Sequence, residues 1–253
     1  MATVTQVIRQ TKQPRGGYIK LKDMEELKFI DSANVDIKNE NIKPNLIGTV
    51  VDSLSRYCLT NDVKDAFDIS IKGAYNMDDI SRCEKWLDIV NQSNKIDDAM
   101  IIHATLLVHY DRVYRSGYIP ESFDKPDAQT IQSIRHLIER NLKLMARLGP
   151  ITETGFTLDG GYTHKVTNGD GDFLTKDTLI DCKVSVKPPN KDATLQILMY
   201  YLMGKESNQA MFNNIKYLAI VNPRLNRIYR IEIDKIDKSI IDEVKKDVIG
   251  YSL

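Results

Sequence analysis

A carboxylate and an amine stand two positions apart in the segment with the clearest chemical potential. Asp181 and Lys183 lie where apolar and polar residues alternate, from Ile180 to Val186. Because successive side chains of a β-strand point to opposite faces, this alternation predicts a strand that presents both charged groups on one face. Such a pair can combine metal binding by the carboxylate with stabilisation of a negatively charged transition state by the ammonium group.

Asp172 is the expected partner of Asp181 across a β-hairpin. A loop of two or four residues centred on Lys176 and Asp177 pairs Asp172 directly with Asp181, and carboxylates so placed repel each other. Mg²⁺ or Mn²⁺ relieves this repulsion, because hard divalent cations take carboxylate oxygens and leave positions for water and phosphate. A three-residue loop or a bulge would shift the pairing, since Lys176-Asp177 is not a preferred tight-turn dipeptide. Asp170 is the alternative ligand, and the register favours Asp172.

A helix predicted from Asp192 to Met203 supplies two further polar groups. Gln196 and Tyr200 are separated by about one helical turn, so they share a face. The other face is apolar and contains Leu195, Leu198, Met199 and Leu202. Gln196 and Tyr200 can therefore face the carboxylates and hold a phosphate group, a water molecule or Lys183.

Together these elements resemble the PD-(D/E)XK nuclease superfamily, and within it the RecB-like exonuclease branch. The matching residues are Gly169-x-x-Asp172, Asp181-x-Lys183 and Gln196-x-x-x-Tyr200, on a hairpin followed by a helix. The resemblance is close over this segment and loose elsewhere. It implies a restriction-endonuclease-like α/β fold, in which a mixed sheet is flanked by helices.

The resemblance also implies roles for individual residues. Asp172, Asp181 and the main-chain carbonyl of Cys182 are the implied metal ligands, and Lys183 is the implied catalytic lysine. RecB-like members carry a G-x-x-x-H element whose histidine binds metal. Here Gly48-x-x-x-Asp52 is the nearest counterpart, which makes Asp52 a further candidate ligand.

Changes in hydrophobic period divide the chain into three regions. Residues 1–44 are polar and mixed in charge, and they predict an arm with one short helix near 23–29. Residues 45–150 predict a mainly helical region, with helices over about 45–58, 62–73, 78–92, 96–115 and 127–148. Residues 151–253 predict the α/β nuclease core, with strands at 216–221 and 227–233 and a terminal helix reaching 248. No linker separates the last two regions, so we expect them to form one compact unit.

Composition excludes several classes of protein. The 35 basic and 35 acidic residues cancel, so bulk charge does not indicate nucleic-acid binding, although a basic stretch from Arg135 to Arg147 suits phosphate contacts. No apolar run is long enough to span a membrane and no secretory segment opens the chain, which predicts a cytoplasmic protein without a membrane partner. The three cysteines form no C-x-x-C pair and indicate neither a disulfide framework nor a zinc ribbon.

The expected function is hydrolysis of phosphodiester bonds in DNA with Mg²⁺ or Mn²⁺. The resemblance selects DNA over RNA, and it suggests a phage, recombination or anti-phage defence context, with endonuclease and exonuclease action both open. One alternative is a catalytically inactive nuclease-fold protein that acts as a nucleic-acid-binding or assembly subunit. Another is that the helices of 45–148 bind a protein partner. Glu139 as an extra acidic group, base stacking by Trp86 or the tyrosines of 110–118, and a homo-oligomer also remain open.

Overall fold

The chain folds into two compact units in the computed structural model, which describes residues 2–31, 39–93 and 95–252. An α/β unit contains residues 1–30 and 143–253, and a helical unit contains residues 31–142. The predicted α/β class is confirmed, because six strands form one mixed sheet. The helical unit is therefore an insertion in the sequence of the α/β unit. This division of the chain into two units differs from the predicted regions 1–44, 45–150 and 151–253.

The sheet contains six strands in the order β1-β6-β5-β4-β3-β2. The strands are β1 (Glu25–Lys28), β2 (Ile151–Thr154), β3 (Phe173–Thr175), β4 (Thr178–Cys182), β5 (Tyr217–Asn222) and β6 (Arg227–Glu232). β4 and β5 are parallel, whereas the other neighbouring pairs are antiparallel. The two strands predicted at 216–221 and 227–233 are confirmed as β5 and β6. β4 and β5 lie at the centre of the sheet and are mostly buried.

The N-terminal residues, expected to form an arm, belong instead to the α/β unit. Helix α1 (Val4–Gln10) begins at a capping box in which Thr3 and Gln6 each bind the main-chain N–H of the other. The prediction of a short helix near 23–29 is wrong, because this segment contains β1, which pairs with β6. The pairing partner is about two hundred residues away in sequence, so local periodicity did not indicate the strand.

Two helical segments complete the α/β unit. α9 (Lys191–Glu206) begins at Asn190, whose side chain accepts hydrogen bonds from the N–H groups of Asp192 and Ala193. It packs against α1, β4 and β5. At the C-terminus α10 (Lys238–Glu243) continues as a π-helical segment, Val244–Ile249. The predicted helices at 192–203 and 240–248 are thus present, and α9 sits directly behind the strand that carries Asp181.

The helical unit is built from helices joined by loops. The helices are α2 (Pro44–Thr60), α3 (Val63–Ala66), α4 (Asp68–Asn76), α5 (Ile80–Gln92), α6 (Asp98–Leu107) and α7 (His109–Ser116), and α8 (Ala128–Ala146) begins in this unit. The longest of these loops connects α7 and α8. The sequence predicts a helix that ends at Gly73, but Gly73 lies inside α4. A Cβ atom at this position would stand 2.0 Å from the carbonyl oxygen of Tyr110. The helix expected over 96–115 is divided at Val108. Over the described residues, no helix has both the length and the apolar character needed to cross a membrane.

Candidate active site

The hairpin of β3 and β4 has the register that the sequence predicts. Phe173 pairs with Ile180 and Leu174 with Leu179, and this register, continued by one residue, sets Asp172 opposite Asp181. The N–H of Cys182 donates to Oδ2 of Asp172 over 2.8 Å, and the carbonyl of Asp172 accepts from the N–H of Gly155 over 2.9 Å. Asp172 is therefore held on both sides, by β4 and by the segment that follows β2.

The tight turn of this hairpin forms without an Asn-Gly dipeptide because neighbouring groups satisfy its main chain. The hydroxyl oxygen of Thr175 accepts from the N–H of Thr178 over 3.0 Å. The carbonyl of Asp177 accepts from the N–H groups of Lys216 and Tyr217 over 2.7 and 3.0 Å. A threonine side chain and the start of β5 thus hold a two-residue turn that its own sequence does not favour.

Gly171 brings the segment before β3 close to the core. A Cβ atom at this position would stand 2.1 Å from the tip of the Phe156 ring, and the N–H of Gly171 donates to the carbonyl of Phe156 over 2.9 Å. Only glycine fits this approach without displacement of the ring. Asp170 is exposed and forms an isolated bridge with Thr157, so its main chain extends the sheet-like pairing that positions Asp172.

Asp181 is a buried carboxylate at the end of β4. The residue is 1% exposed, and burial raises the pKa of its carboxyl group, as does the nearby charge of Asp172, while Lys183 acts in the opposite direction. Its Oδ2 atom is buried and has no hydrogen-bond partner in the described part of the chain. A carboxylate in this environment needs a cation, because an isolated charge in the interior is strongly unfavourable.

Lys183 supplies that cation. Its Nζ atom donates to Oδ1 of Asp181 over 3.0 Å and lies 2.8 Å from Oδ2, in an ion pair without hydrogen-bond geometry. Burial lowers the pKa of Lys183, but Asp181 and Asp172 outweigh burial and raise it. The amine is therefore held in its charged form. The strand that carries Asp181, predicted to continue to Val186, ends at Cys182, and Val186 is 50% exposed. Beyond the strand, the N–H of Lys183 donates to the main-chain carbonyl of Val221 over 2.9 Å.

Gln196 and Tyr200 extend the polar contacts from Lys183 into α9. Nζ of Lys183 donates to Oε1 of Gln196 over 2.9 Å, and Nε2 of Gln196 donates to the Tyr200 hydroxyl over 2.7 Å. Because an ammonium group only donates hydrogen bonds, the orientation of the Gln196 amide follows from its two partners. Burial raises the pKa of Tyr200 well above its ordinary value, as do the charges of Asp181 and Asp172. Tyr200 is thus a neutral phenol that positions Gln196.

A cleft of about 410 Å³ opens beside these groups. Lys183 and Gln196 line it together with Thr5, Ile8 and Arg9 of α1 and with residues of the loop that precedes α9. Sequence reasoning missed the contribution of α1. The signal that would have revealed this helix is its capping-box sequence, Thr3-x-x-Gln6, which precedes an apolar pair, Val7 and Ile8.

The groups around Asp181 fit a hard divalent cation such as Mg²⁺ or Mn²⁺. Two carboxylates, Asp172 and Asp181, and the main-chain carbonyl of Cys182 are the oxygen donors that such ions prefer, and Mg²⁺ retains several water ligands in protein sites. The buried Oδ2 of Asp181 accepts no hydrogen bond within the described residues and lies 2.8 Å from Nζ of Lys183, so it is an oxygen that a cation can contact. Residues 2–31, 39–93 and 95–252 contain no cluster of three or more His, Cys, Asp or Glu side chains arranged to hold a metal ion.

Other sequence candidates lie elsewhere in the chain. Asp52 lies on α2 in the helical unit, where its Oδ2 is 3.1 Å from Nε of Arg56. Glu139 lies on α8, and its half-exposed carboxylate is 3.9 Å from the ring of His136. The candidate site described above is built from the α/β unit alone.

Aromatic candidates for base stacking are divided between the core and the surface. Tyr110 is fully buried, and its ring packs against those of Trp86 and Phe123. Tyr114 and Tyr118 are each 46% exposed. Tyr110 is therefore a core residue of the helical unit and does not contribute to a stacking surface.

Comparison with known protein families, with curated proteins and with solved structures finds no significant match to this chain.

Proposed function

We propose that this protein is a metal-dependent nuclease that hydrolyses phosphodiester bonds in DNA. The observation that carries the proposal is the position of Lys183, whose ammonium group contacts both the buried Asp181 carboxylate and Gln196 while it lines an open cleft. Only the Asp181 carboxylate of this ion pair is buried, and the cost of removing it from water offsets much of its attraction to Lys183, so the pair contributes little net stability. A functional role explains better than a structural one why these charges stand together at a cleft.

The order of elements around the site supports a restriction-endonuclease-like fold for the α/β unit. The hairpin β3–β4 carries Asp172, Asp181 and Lys183, and α9 follows it with Gln196 and Tyr200. Two strands and a C-terminal helix then complete the unit, in a mixed sheet flanked by helices. This order is compatible with the resemblance to the PD-(D/E)XK superfamily. We therefore include the family assignment in the proposal.

Each residue has a chemical role in this proposal. Asp172, Asp181 and the carbonyl of Cys182 would hold Mg²⁺ or Mn²⁺, which when bound would supply charge stabilisation to phosphate oxygens and activation of water. Lys183, kept protonated by the two carboxylates, neutralises negative charge that develops on the phosphate. Gln196 holds the Lys183 amine in place.

Tyr200 has a lesser place in the proposal. It fixes Gln196, and Tyr200 and Gln196 are both positioning residues. Asp52, which the resemblance offers as a further ligand, lies in the helical unit and pairs with Arg56, so it has no role in the site proposed for the α/β unit.

The choice of DNA, and of a phage, recombination or defence context, comes from the family resemblance. Incubation of linear and plasmid DNA, and of a matched RNA, with Mg²⁺, Mn²⁺ or EDTA tests the substrate and the metal requirement. The expected result is cleavage of DNA with either metal and none with EDTA. Cleavage of plasmid as well as linear DNA would indicate endonuclease action.

Lys183→Ala tests whether the site performs the reaction. We expect cleavage to fall by about a hundredfold or more, because an electrostatic group acting on the transition state is typically worth that much. Lys176→Ala is the matched control, since Lys176 is an exposed lysine of the same hairpin and should leave the rate unchanged. Absence of cleavage in the native protein with every divalent ion, together with retained DNA binding, would favour the non-catalytic binding protein instead.

A further inference from the structure

The cleft beside Lys183 carries an inference that rests on the proposed function and deepens it. We propose that this cleft binds the phosphodiester backbone of a single nucleic-acid strand, and that Arg9 of α1 and Lys187 of the loop before α9 bind its phosphates. The N-terminal helix would then be part of the substrate site.

Helix α1 is held firmly against the rest of the α/β unit, so that the main chain of Arg9 has a defined position. Val4 and Ile8 are buried in the core, and the N–H of Val4 donates to the carbonyl of Asn168 over 3.1 Å. Beyond the helix, Nε2 of Gln13 donates to Oδ1 of Asp192 over 2.6 Å, which ties this segment to the first turn of α9. Thr5 and Arg9 remain exposed and line the cleft.

The loop that carries Lys187 is also fixed. Asn222 is fully buried, and its Nδ2 atom donates to the carbonyls of Ser185 and Lys187 over 2.9 and 3.3 Å. The N–H of Lys187 donates to Oγ of Ser185 over 3.1 Å. Pro188 and Pro189 follow and restrict the main chain further. A loop constrained in this way loses little conformational entropy when a ligand binds.

The charge of the cleft matches a phosphate backbone. Arg9 and Lys187 contribute two cations to its lining, Lys183 contributes a third that is paired with Asp181, and Asp192 contributes one carboxylate. Within the described residues, Arg9 and Lys187 are exposed and form no ion pair with an acidic side chain. Lys183 is proposed to act on the scissile phosphate. Arg9 and Lys187, which have no acidic partners, can therefore bind the phosphates on either side of the scissile phosphate.

The size and apolar lining of the cleft favour a single strand over a duplex. Its volume of about 410 Å³ is that of a site for one small ligand. Ile8, Pro189 and Ala193 add apolar surface to the lining, against which a sugar or a base can pack. A strand that enters such a cleft brings one nucleotide at a time to Lys183, whereas a duplex carries its second strand alongside.

Binding without metal tests this inference separately from catalysis. The probe is a fluorescein-labelled oligothymidylate about 12 nucleotides long, a length comparable to known single-strand sites, titrated with the full chain in EDTA and followed by fluorescence anisotropy. We expect Arg9→Ala and Lys187→Ala each to weaken binding by about tenfold or more, as loss of a hydrogen bond to a charged group does. Each should also reduce the slope of log affinity against log salt by about 0.7.

Two matched variants complete the experiment. Lys12→Ala removes an exposed cation that follows the same helix but lines a different cavity, and we expect unchanged binding. Arg9→Lys keeps the charge and should retain most of the affinity. A structural role of Arg9 at the C-terminus of α1 would lower the melting temperature without changing the salt slope, and that result would overturn the inference.

The remaining outcomes separate the two proposals. Equal losses for Arg9→Ala and Lys12→Ala, or no loss for either, would overturn the cleft assignment even if the native protein cleaves DNA. Equal affinity for a blunt duplex of the same length would overturn the single-strand assignment. Conversely, binding that depends on Arg9 in a protein that never cleaves would support the cleft and refute the proposed nuclease activity.

Discussion

Each unit of this protein contains a buried aspartate, and the two aspartates differ in what surrounds them. In the helical unit, Asp111 accepts a short hydrogen bond of 2.5 Å from the hydroxyl of Ser70. Burial raises the pKa of Asp111 to about 6, while Ser70 and the charges of Arg115 and Arg56 oppose the rise. In the α/β unit, Asp181 contacts a lysine instead, and its Oδ2 atom has no hydrogen-bond partner in the described residues.

The difference teaches that a raised carboxyl pKa does not identify a functional site by itself. Burial raises the pKa of both groups, so the shift alone does not separate them. The contacts of the two carboxylates separate them. Asp111 accepts a hydrogen bond from a neutral hydroxyl, whereas Asp181 is linked through Lys183 to Gln196 and to a cleft. Of the four predictions that follow, the first and third test this contrast at the aspartates, the second compares glycines of the two units, and the fourth concerns the residues linked to Asp181.

The largest expected effect comes from the same substitution at both aspartates. Asp181→Asn should reduce metal-dependent DNA cleavage by about a hundredfold or more, because the variant loses the charge that holds both Lys183 and the metal. Asp111→Asn should change the rate by less than about threefold, since it keeps the hydrogen bond to Ser70. Initial rates of cleavage and Mn²⁺ titration by calorimetry measure the two effects. Similar losses in both variants would remove the distinction between the aspartates.

Two glycines provide the next contrast. Gly73→Ala should lower the free energy of unfolding by about 3 kcal/mol, at the upper end for overpacking, because the new Cβ would meet main-chain atoms of Tyr110. Gly171→Ala should cost about half as much, since the atoms nearest its Cβ would all belong to the tip of the Phe156 ring, and a side chain shifts at lower cost than the main chain does. Urea unfolding followed by circular dichroism gives both values. A larger loss for Gly171→Ala would contradict this ordering.

The pKa of Asp111 predicts a stability that depends on pH. Because the pKa in the folded protein is raised, to about 6, the contribution of the protonated carboxyl is complete below the ordinary pKa and is lost as pH rises through about 6. Relative to Asp111→Asn, the native protein should therefore lose up to about 3 kcal/mol of stability between about pH 4 and pH 7. Unfolding of both proteins across this range measures the difference. A constant difference would show that Asp111 titrates normally.

The smallest effect is expected at the end of the polar chain. Tyr200→Phe removes the acceptor of the 2.7 Å hydrogen bond from Gln196, which should cost about 1 kcal/mol and slow cleavage by less than about tenfold. Tyr201→Phe, at the next position of α9, is the matched control and should leave the rate unchanged. A hundredfold loss in Tyr200→Phe would mean that this hydroxyl acts directly in the reaction and does not merely position Gln196.

Parts of the fold that depend on local pattern were predictable from the sequence. Strands β5 and β6 and helix α9 follow hydrophobic periodicity, which reports directly which face of an element is buried. The hairpin register was predictable as well, although Thr175 and the start of β5 hold a turn that its own dipeptide does not favour. By contrast, the sequence predicts an arm where α1 and β1 form, because their partners α9 and β6 lie far away in the sequence.

The sequence by itself determined that Asp181 and Lys183 share one side of the chain and that Gln196 and Tyr200 share one face of a helix. These relations follow from the geometry of a strand and of a helix over a few residues. Only the tertiary structure decided that Lys183 reaches Gln196 and that Arg9 stands at the same cleft. Contacts between distant segments depend on how whole elements pack, and side-chain periodicity carries no information about which elements meet.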